Sequence, residues 1–196
     1  MRDFPVITDP TYKEQANYSS FDKFCLKKMR DKRDLVLVYF TFRLIAIFIP
    51  LAILLFLPLP WFFWAPLAIV YTWLNVFRYK SRFTLMLHIT SHRPWFKSDY
   101  NYLNKFLPWI LGPFMGQSPE AYFSHHVGMH HLEGNLEDDD STTMHYQRDS
   151  KADFAKYLFG FLFFGLFRLS TYFTKKNRPG LRNSAIIGES LFYIGS

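Results

Sequence analysis

Residues 44–77 read LIAIFIPLAILLFLPLPWFFWAPLAIVYTWLNVF, and none of these 34 residues is charged. A helix rises about 1.5 Å per residue and has to cross about 30 Å of hydrocarbon, so the stretch is longer than one membrane span. Its strongest turn signal is the doubled proline at residues 58–60, whereas single prolines are tolerated in membrane helices. The stretch predicts a transmembrane hairpin with helices over residues 35–57 and 61–77. A buried hairpin of a soluble protein is the alternative.

Basic residues flank both ends of this predicted hairpin, and the connecting turn carries no charge. The residues before the first helix are Lys23, Lys27, Lys28, Arg30, Lys32 and Arg33, and those after the second are Arg78, Lys80, Arg82, Arg93 and Lys97. By the positive-inside rule, both ends face the cytoplasm. The flanks account for the net charge of +7 without nucleic acid as a partner, since no basic–aromatic binding motif accompanies them.

Composition excludes several other classes of protein. Aromatic residues make up 20% of the chain, which is incompatible with intrinsic disorder. Cys25 is the single cysteine, so neither a disulfide framework nor a cysteine-rich zinc module is available. Residues 1–21 are polar and contain no apolar core of a cleavable signal peptide.

Two shorter apolar runs follow the hairpin, at residues 103–115 and 157–167. Both are too short to span a membrane, and both suit helices that lie in the plane of the interface. A core helix of a soluble domain is the alternative for each run.

Six of the seven histidines fall between residues 88 and 131. His88 and His92 form an H-x-x-x-H pair, and residues four apart share one face of a helix. The second group, residues 125–131, reads HHVGMHH. There, His126 and His130 are predicted to share a face, while His131 is turned about 100° away and can reach a second ion.

These groups favour a metal site over surface or core histidines. H-E-x-x-H is absent, so a zinc protease is disfavoured. Five or six imidazoles without thiolates favour iron, or less readily copper or zinc. A set of more than four histidines implies more than one ion.

In order and spacing, the two groups resemble the histidine boxes of the membrane fatty acid desaturase and hydroxylase superfamily. The resemblance rests on His88-Ile-Thr-Ser-His92 and His126-Val-Gly-Met-His130-His131 and covers residues 35–145. It implies an all-α integral membrane fold, in which a transmembrane hairpin is followed by cytosolic and interfacial helices that carry the boxes. It also implies two iron ions, with the ligands His88, His92, His126, His130 and His131.

The implied reaction is the introduction of a double bond into a lipid acyl chain, with O₂ and electrons from a redox partner such as cytochrome b5 or ferredoxin. A lipid hydroxylase or ketolase of the same superfamily is the alternative, as is a non-catalytic membrane paralogue. The implied location is a multi-pass position in the membrane, in the endoplasmic reticulum if the protein is eukaryotic. The boxes would face the cytoplasm.

The superfamily has a third box, H-x-x-H-H, after a second hairpin, whereas no histidine follows His145 here. Residues 184–196 resemble the start of a third transmembrane helix. The expected organisation is therefore the N-terminal part of a longer enzyme: a cytosolic segment 1–34, the hairpin 35–80, a cap 81–183 with both boxes, and the third helix from 184 to 196. These residues alone are not expected to form double bonds.

The remaining polar residues near the boxes receive weaker assignments. His125 lies outside the box spacing and is predicted to support the ligands or to exchange with His126. His145 is predicted to be a surface histidine. Carboxylates can orient a ligand imidazole through its second ring nitrogen, and Glu133 ranks first for this role. A charge run such as residues 137–140 is more often a solvated loop, and the orienting role is the alternative for its members Glu137, Asp138, Asp139 and Asp140. Asp140, Ser141 and Thr142 suggest a helix N-cap.

Overall fold

The computed structural model describes Lys13 and residues 17–195, and this part of the chain is all-helical, without a β-strand. Residues 1–12 and 14–16 of the predicted cytosolic segment 1–34 lie outside the described residues. They also make up most of residues 1–21, the stretch for which no signal peptide is predicted. The main helices are α1 (Ser20–Lys28), α2 (Leu35–Leu55), α3 (Trp61–Trp73), α4 (Lys80–His92), α5 (Ala121–His125), α6 (Lys151–Lys175) and α7 (Pro179–Gly195).

The α2 and α3 helices form a hairpin whose turn lies at the doubled proline. The α2 helix ends at Leu55, and α3 begins directly after Pro60. The indole of Trp64 donates a hydrogen bond to the Leu55 carbonyl oxygen over 3.0 Å and closes the turn. The predicted position of the turn is therefore confirmed.

The second arm of the hairpin continues beyond its predicted end at Phe77. A π turn, Leu74–Tyr79, joins α3 to α4, so the chain stays helical from Trp61 to His92. No glycine or proline occurs in residues 67–92 to break the helix. The first histidine pair, His88 and His92, therefore lies on the same continuous helix as the second arm of the hairpin.

Residues 103–115 pack into the core of the hairpin instead of forming one separate interfacial helix. They contain the turn Gly112–Phe114 and the π turn Leu107–Leu111. Buried residues of this segment, of α2 and of α4 form one apolar cluster, which includes Leu44, Phe48, Phe83, Met86, Leu107, Leu111 and Met115. The segment is therefore packed against the hairpin, and its prediction as one separate interfacial helix is wrong.

Polar side chains of the continuous helix Trp61–His92 anchor the C-terminal end of residues 103–115. Tyr71 Oη and Asn75 Nδ2 donate hydrogen bonds to the Phe114 carbonyl oxygen over 2.6 and 2.9 Å. Lys80 Nζ donates to the Met115 carbonyl oxygen over 2.6 Å. These bonds satisfy carbonyl groups that a helix end otherwise leaves unpaired.

The run at residues 157–167 belongs to a helix of 25 residues, α6, so its predicted short length is wrong. Lys156 and Arg168 flank the apolar run, but a charge does not end a helix. The helix starts where Ser150 Oγ accepts a hydrogen bond from Asp153 N over 3.2 Å. Ser150 is thus the N-cap, and the cap predicted at residues 140–142 is wrong.

Among the described residues, two helices are long and apolar enough to cross a membrane: Lys32–Leu55, which contains α2, and Lys151–Lys175, which is α6. The second predicted span, residues 61–77, falls across α3 and the π turn and is not one of the two. The helix predicted to start near residue 184 starts at Pro179. This helix, α7, packs against α5 and α6 through the buried residues Ala185 and Gly188.

Candidate metal centre

The first histidine pair lies on one face of α4, as its spacing predicts. The ring centroids of His88 and His92 are 4.7 Å apart. The opposite side of the helix holds Phe83 and Met86 in the hairpin core. The pair is thus carried by a well-packed helix and turned away from its apolar contacts.

A π turn, His126–His130, changes the register of the second group. Because residues five apart are brought together in a π turn, His126 lies beside His131, with Nε2 atoms 3.1 Å apart. The prediction that His131 is turned about 100° away from the His126 face is therefore wrong. His130 instead stacks on His125, with ring centroids 6.1 Å apart, and on His126 at 5.9 Å.

The turn is held by close packing at Gly128. A Cβ on this residue would lie 2.9 Å from Leu181 Cδ1 and 3.1 Å from Phe173 Cζ, so only glycine fits without displacing these side chains. The adjacent Met129 is buried in a cluster with Phe173 and Ala185. The α6 and α7 helices therefore fix the backbone that carries the second histidine group.

The two groups meet in one cluster. One ring nitrogen from each of His88, His92 and His126 lies within 4.8 Å of the others. The His131 ring joins them at centroid distances of 4.5 Å from His126 and 4.7 Å from His92. Four predicted ligands are thus brought together by helices that are far apart in the sequence.

The environment of the cluster favours the neutral form of two of its imidazoles, those of His92 and His126. Burial, followed by the neighbouring histidines His131 and His88, lowers the pKa of His126 to about 4. Burial and His88 also lower the pKa of His92. A neutral imidazole has the free lone pair that a metal ion requires, and a set made only of imidazoles fits iron, copper or zinc.

His130 has a different set of partners. Its Nδ1 lies 2.7 Å from Asp139 Oδ2 and 3.2 Å from Ser141 Oγ. Asp139 is completely buried, with an exposed fraction of 0%. The prediction that residues 137–140 form a solvated acidic loop is therefore wrong for Asp139, whereas Glu137 and Asp138 are exposed.

His125 lies next to this pair. Its ring contacts Phe161 edge-on at 5.6 Å in addition to stacking on His130. Its Nε2 is buried without a hydrogen-bond partner in the described part of the chain, and burial lowers the pKa of this imidazole. A buried nitrogen without a partner is unusual, and a metal ion would satisfy it. This atom and the imidazole cluster both fit the predicted metal.

Glu133, the preferred carboxylate of the sequence analysis, does not contact a histidine ring. It accepts hydrogen bonds from Tyr172 Oη over 2.5 Å and from Lys176 Nζ over 3.1 Å. Its role is to tie α6 to the second histidine group. His145 is exposed, as predicted.

Sequence reasoning missed Tyr122, whose ring stacks on His126 at 5.2 Å. The two residues are four apart, so helical spacing is the signal that was available. Tyr122 also lines a cavity of about 220 Å³ together with His92, Leu87, Pro108 and Phe123. A cavity with both apolar and charged side chains in its lining thus adjoins the imidazole cluster at His92.

Comparison with family models, curated proteins and solved structures gives no match for this chain. Membership of the desaturase superfamily therefore stays a prediction, which rests on the spacing of the histidines and on the geometry of their cluster.

Proposed function

We propose that the chain is part of a membrane di-iron oxidoreductase of the desaturase type, which introduces a double bond into a lipid acyl chain. The observation that carries the proposal is the meeting of His88, His92, His126 and His131 in one cluster beside an apolar hairpin. Two independent sequence groups meet at ligand distances, which chance surface histidines have no reason to do.

The exposure of the long helices supports a membrane environment. Only 22% of the apolar window in Lys32–Leu55 is buried, and only 17% of that in α6. The core helix of a soluble protein would be mostly buried, and contiguous exposed apolar surface calls for a lipid or protein partner. The hairpin then spans the membrane, with its basic flanks in the cytoplasm.

The length of the continuous helix from Trp61 to His92 supports a cytoplasmic position for the histidine cluster. From Trp61 to His88 this helix rises about 40 Å, which exceeds the hydrocarbon thickness of about 30 Å. If Trp61 lies at the far interface, His88 projects beyond the hydrocarbon on the basic, cytoplasmic side.

The contacts of α6 favour an in-plane position over a transmembrane one. Tyr157 contacts Tyr146, Phe161 contacts His125, and Tyr172 binds Glu133. From Tyr157 to Tyr172 these contacts spread along about 22 Å of helix. Their partners all lie in residues 125–146, which contain and follow the second histidine group. A helix that crossed the membrane away from that segment would contact it at one end only.

Cysteine labelling tests this topology in a Cys25→Ser background. In sealed microsomes with the cytoplasmic face outward, an impermeant maleimide is expected to label Lys151→Cys and Lys175→Cys, which mark the two ends of α6. Leu57→Cys, in the hairpin turn, should be labelled only after detergent is added. Protection of just one end of α6 would show that this helix crosses the membrane, and direct labelling of Leu57→Cys would contradict the hairpin orientation.

The described residues prepare the site for iron and an acyl chain. The ring nitrogens of the four clustered imidazoles can supply lone pairs to a metal ion, and Tyr122 packs against His126. Bound iron would supply activation of O₂ for attack on an unreactive C–H bond. Leu87, Pro108 and Phe123 give the cavity beside His92 an apolar part, where a methylene group can lie. Arg93, Lys105 and Glu120 line the same cavity. His92 and His131 are exposed, so one side of the cluster is open to further ligands and to a redox partner.

Lipid analysis tests the proposed reaction. The full open reading frame that contains these 196 residues is expressed in a desaturase-deficient host fed with deuterated fatty acids, and the products are identified by mass spectrometry. We expect an O₂-dependent double bond. A hydroxyl or keto product would replace the proposal with the hydroxylase or ketolase alternative, and the absence of any product from membrane-inserted, iron-loaded protein would favour a non-catalytic paralogue.

A further inference from the structure

The Asp139 carboxylate is the best-satisfied buried charge near the histidines. Its Oδ1 accepts hydrogen bonds from Ser141 N over 2.9 Å and from Ser141 Oγ over 2.6 Å. Its Oδ2 accepts one from Asn135 N over 3.0 Å. The remaining partner of Oδ2 is His130 Nδ1, at 2.7 Å.

The geometry of these partners assigns the direction of the contact to His130. Three N–H and O–H donors already point at the two carboxyl oxygens, so Asp139 accepts hydrogen bonds on both of them. This is the arrangement of a carboxylate, which has no proton to donate. The short contact to His130 is therefore assigned as a hydrogen bond that Nδ1–H donates.

This bond decides which nitrogen of His130 is free. With the proton on Nδ1, the neutral ring keeps its lone pair on Nε2. The ring also stacks against the rings of His125 and His126, so the free nitrogen belongs to a ring that lies among the other ligand candidates. A carboxylate that holds the far nitrogen of a ligand histidine fixes both its tautomer and its orientation.

We propose that Asp139 is a positioning residue, which holds His130 as the Nδ1–H tautomer so that Nε2 serves as a metal ligand. The assignment deepens the proposed function and rests on it. The neighbouring acidic residues do not share this role, because Asp138 is exposed and pairs with Lys176 Nζ at 3.0 Å. Asp138 therefore provides a matched control, one residue away and of the same charge.

The first test uses metal affinity. The purified chain is titrated anaerobically with Fe²⁺ or Co²⁺ as Asp139→Asn, Asp138→Asn and wild type. Loss of an outer carboxylate typically weakens metal binding about 10–100-fold, and we expect this loss for Asp139→Asn alone. Equal affinities of the two variants would overturn the assignment, whereas wild-type protein that binds no metal would overturn the proposed function instead.

The second test needs no metal. In protein labelled with ¹⁵N-histidine, the nitrogen chemical shifts report the tautomer of each ring, and the His130 signals are identified by their loss in His130→Gln. We expect the Nδ1–H form in the wild type and in Asp138→Asn, and a shift toward Nε2–H in Asp139→Asn. A purely structural role for Asp139 would leave the tautomer unchanged.

The wild-type spectrum decides the matter even if Asp139→Asn fails to fold. His130 found as the Nε2–H form in the folded wild-type protein contradicts the proposal. Ser141→Ala removes one loop hydrogen bond to Asp139 and the 3.2 Å contact of Ser141 Oγ with His130 Nδ1, while leaving the contact between Asp139 and His130. It should retain the Nδ1–H tautomer, and loss of that tautomer would assign the effect to the loop and not to the carboxylate.

Discussion

Gly188→Ala is expected to detach α7 from α5 and to lower the free energy of unfolding by about 3 kcal/mol or more, at the upper end of overpacking effects. A Cβ on Gly188 would lie 1.6 Å from the Pro119 carbonyl oxygen and 2.7 Å from its carbonyl carbon. Both atoms belong to the backbone, so no side-chain rotation relieves the clash. The helix has to move.

The displacement should reach the histidines, because Pro119 and Glu120 lead directly into α5. Glu120 already has a positive φ of 63°, and its Oε1 is held by Lys105 Nζ and Trp109 Nε1, both at 2.8 Å. Thermal unfolding in detergent measures the loss. Gly180→Ala is the control within the same helix, since nothing lies within 4 Å of its added Cβ. Equal stabilities of the two variants would show that α7 does not pack as described.

In the full open reading frame that contains these 196 residues, His126→Ala is expected to reduce metal affinity by more than about 100-fold, beyond the range for outer residues, and to abolish product formation. The centroid of the His126 ring lies 4.5 Å from that of His88, 4.5 Å from that of His131 and 5.4 Å from that of His92. His126 therefore links the two histidine groups. Because its partners are other imidazoles and Tyr122, the helices themselves should remain folded.

Metal content, product formation and membrane insertion are compared in the wild type, His126→Ala and His145→Ala. His145 is exposed, and its replacement should leave all three measurements near the wild-type values. Retention of metal by His126→Ala, or greater damage from His145→Ala, would show that the cluster is not the metal site.

Much of the fold follows from local sequence signals. The uncharged stretch of residues 44–77 and its doubled proline predict a helical hairpin and the position of its turn, because hydropathy and proline act locally. The spacing of His88 and His92 predicts their shared face for the same reason. The length of α6 does not follow from its apolar run, because Lys156 and Arg168 interrupt the hydropathy pattern without ending the helix, whose capping residue is Ser150.

The details of the site depend on contacts between distant residues. The π turn at His126–His130 pairs His126 with His131, and its tight packing involves Phe173 and Leu181 around Gly128. Asp139 looks like any member of an acidic run, and only the fold buries it against His130. Helical spacing alone predicts neither the His126–His131 contact nor the burial of Asp139 against His130.

X-ray absorption at the iron edge tests the central claim most directly. The purified 196-residue chain is loaded anaerobically with Fe²⁺ and washed, and the spectrum is compared with that of His126→Ala. We expect the wild type to retain iron with nitrogen and oxygen neighbours only and with the outer-shell scattering of at least three imidazole rings. This scattering should be lost in the variant. Iron that washes away from the wild type, or that shows no imidazole scattering, would contradict it.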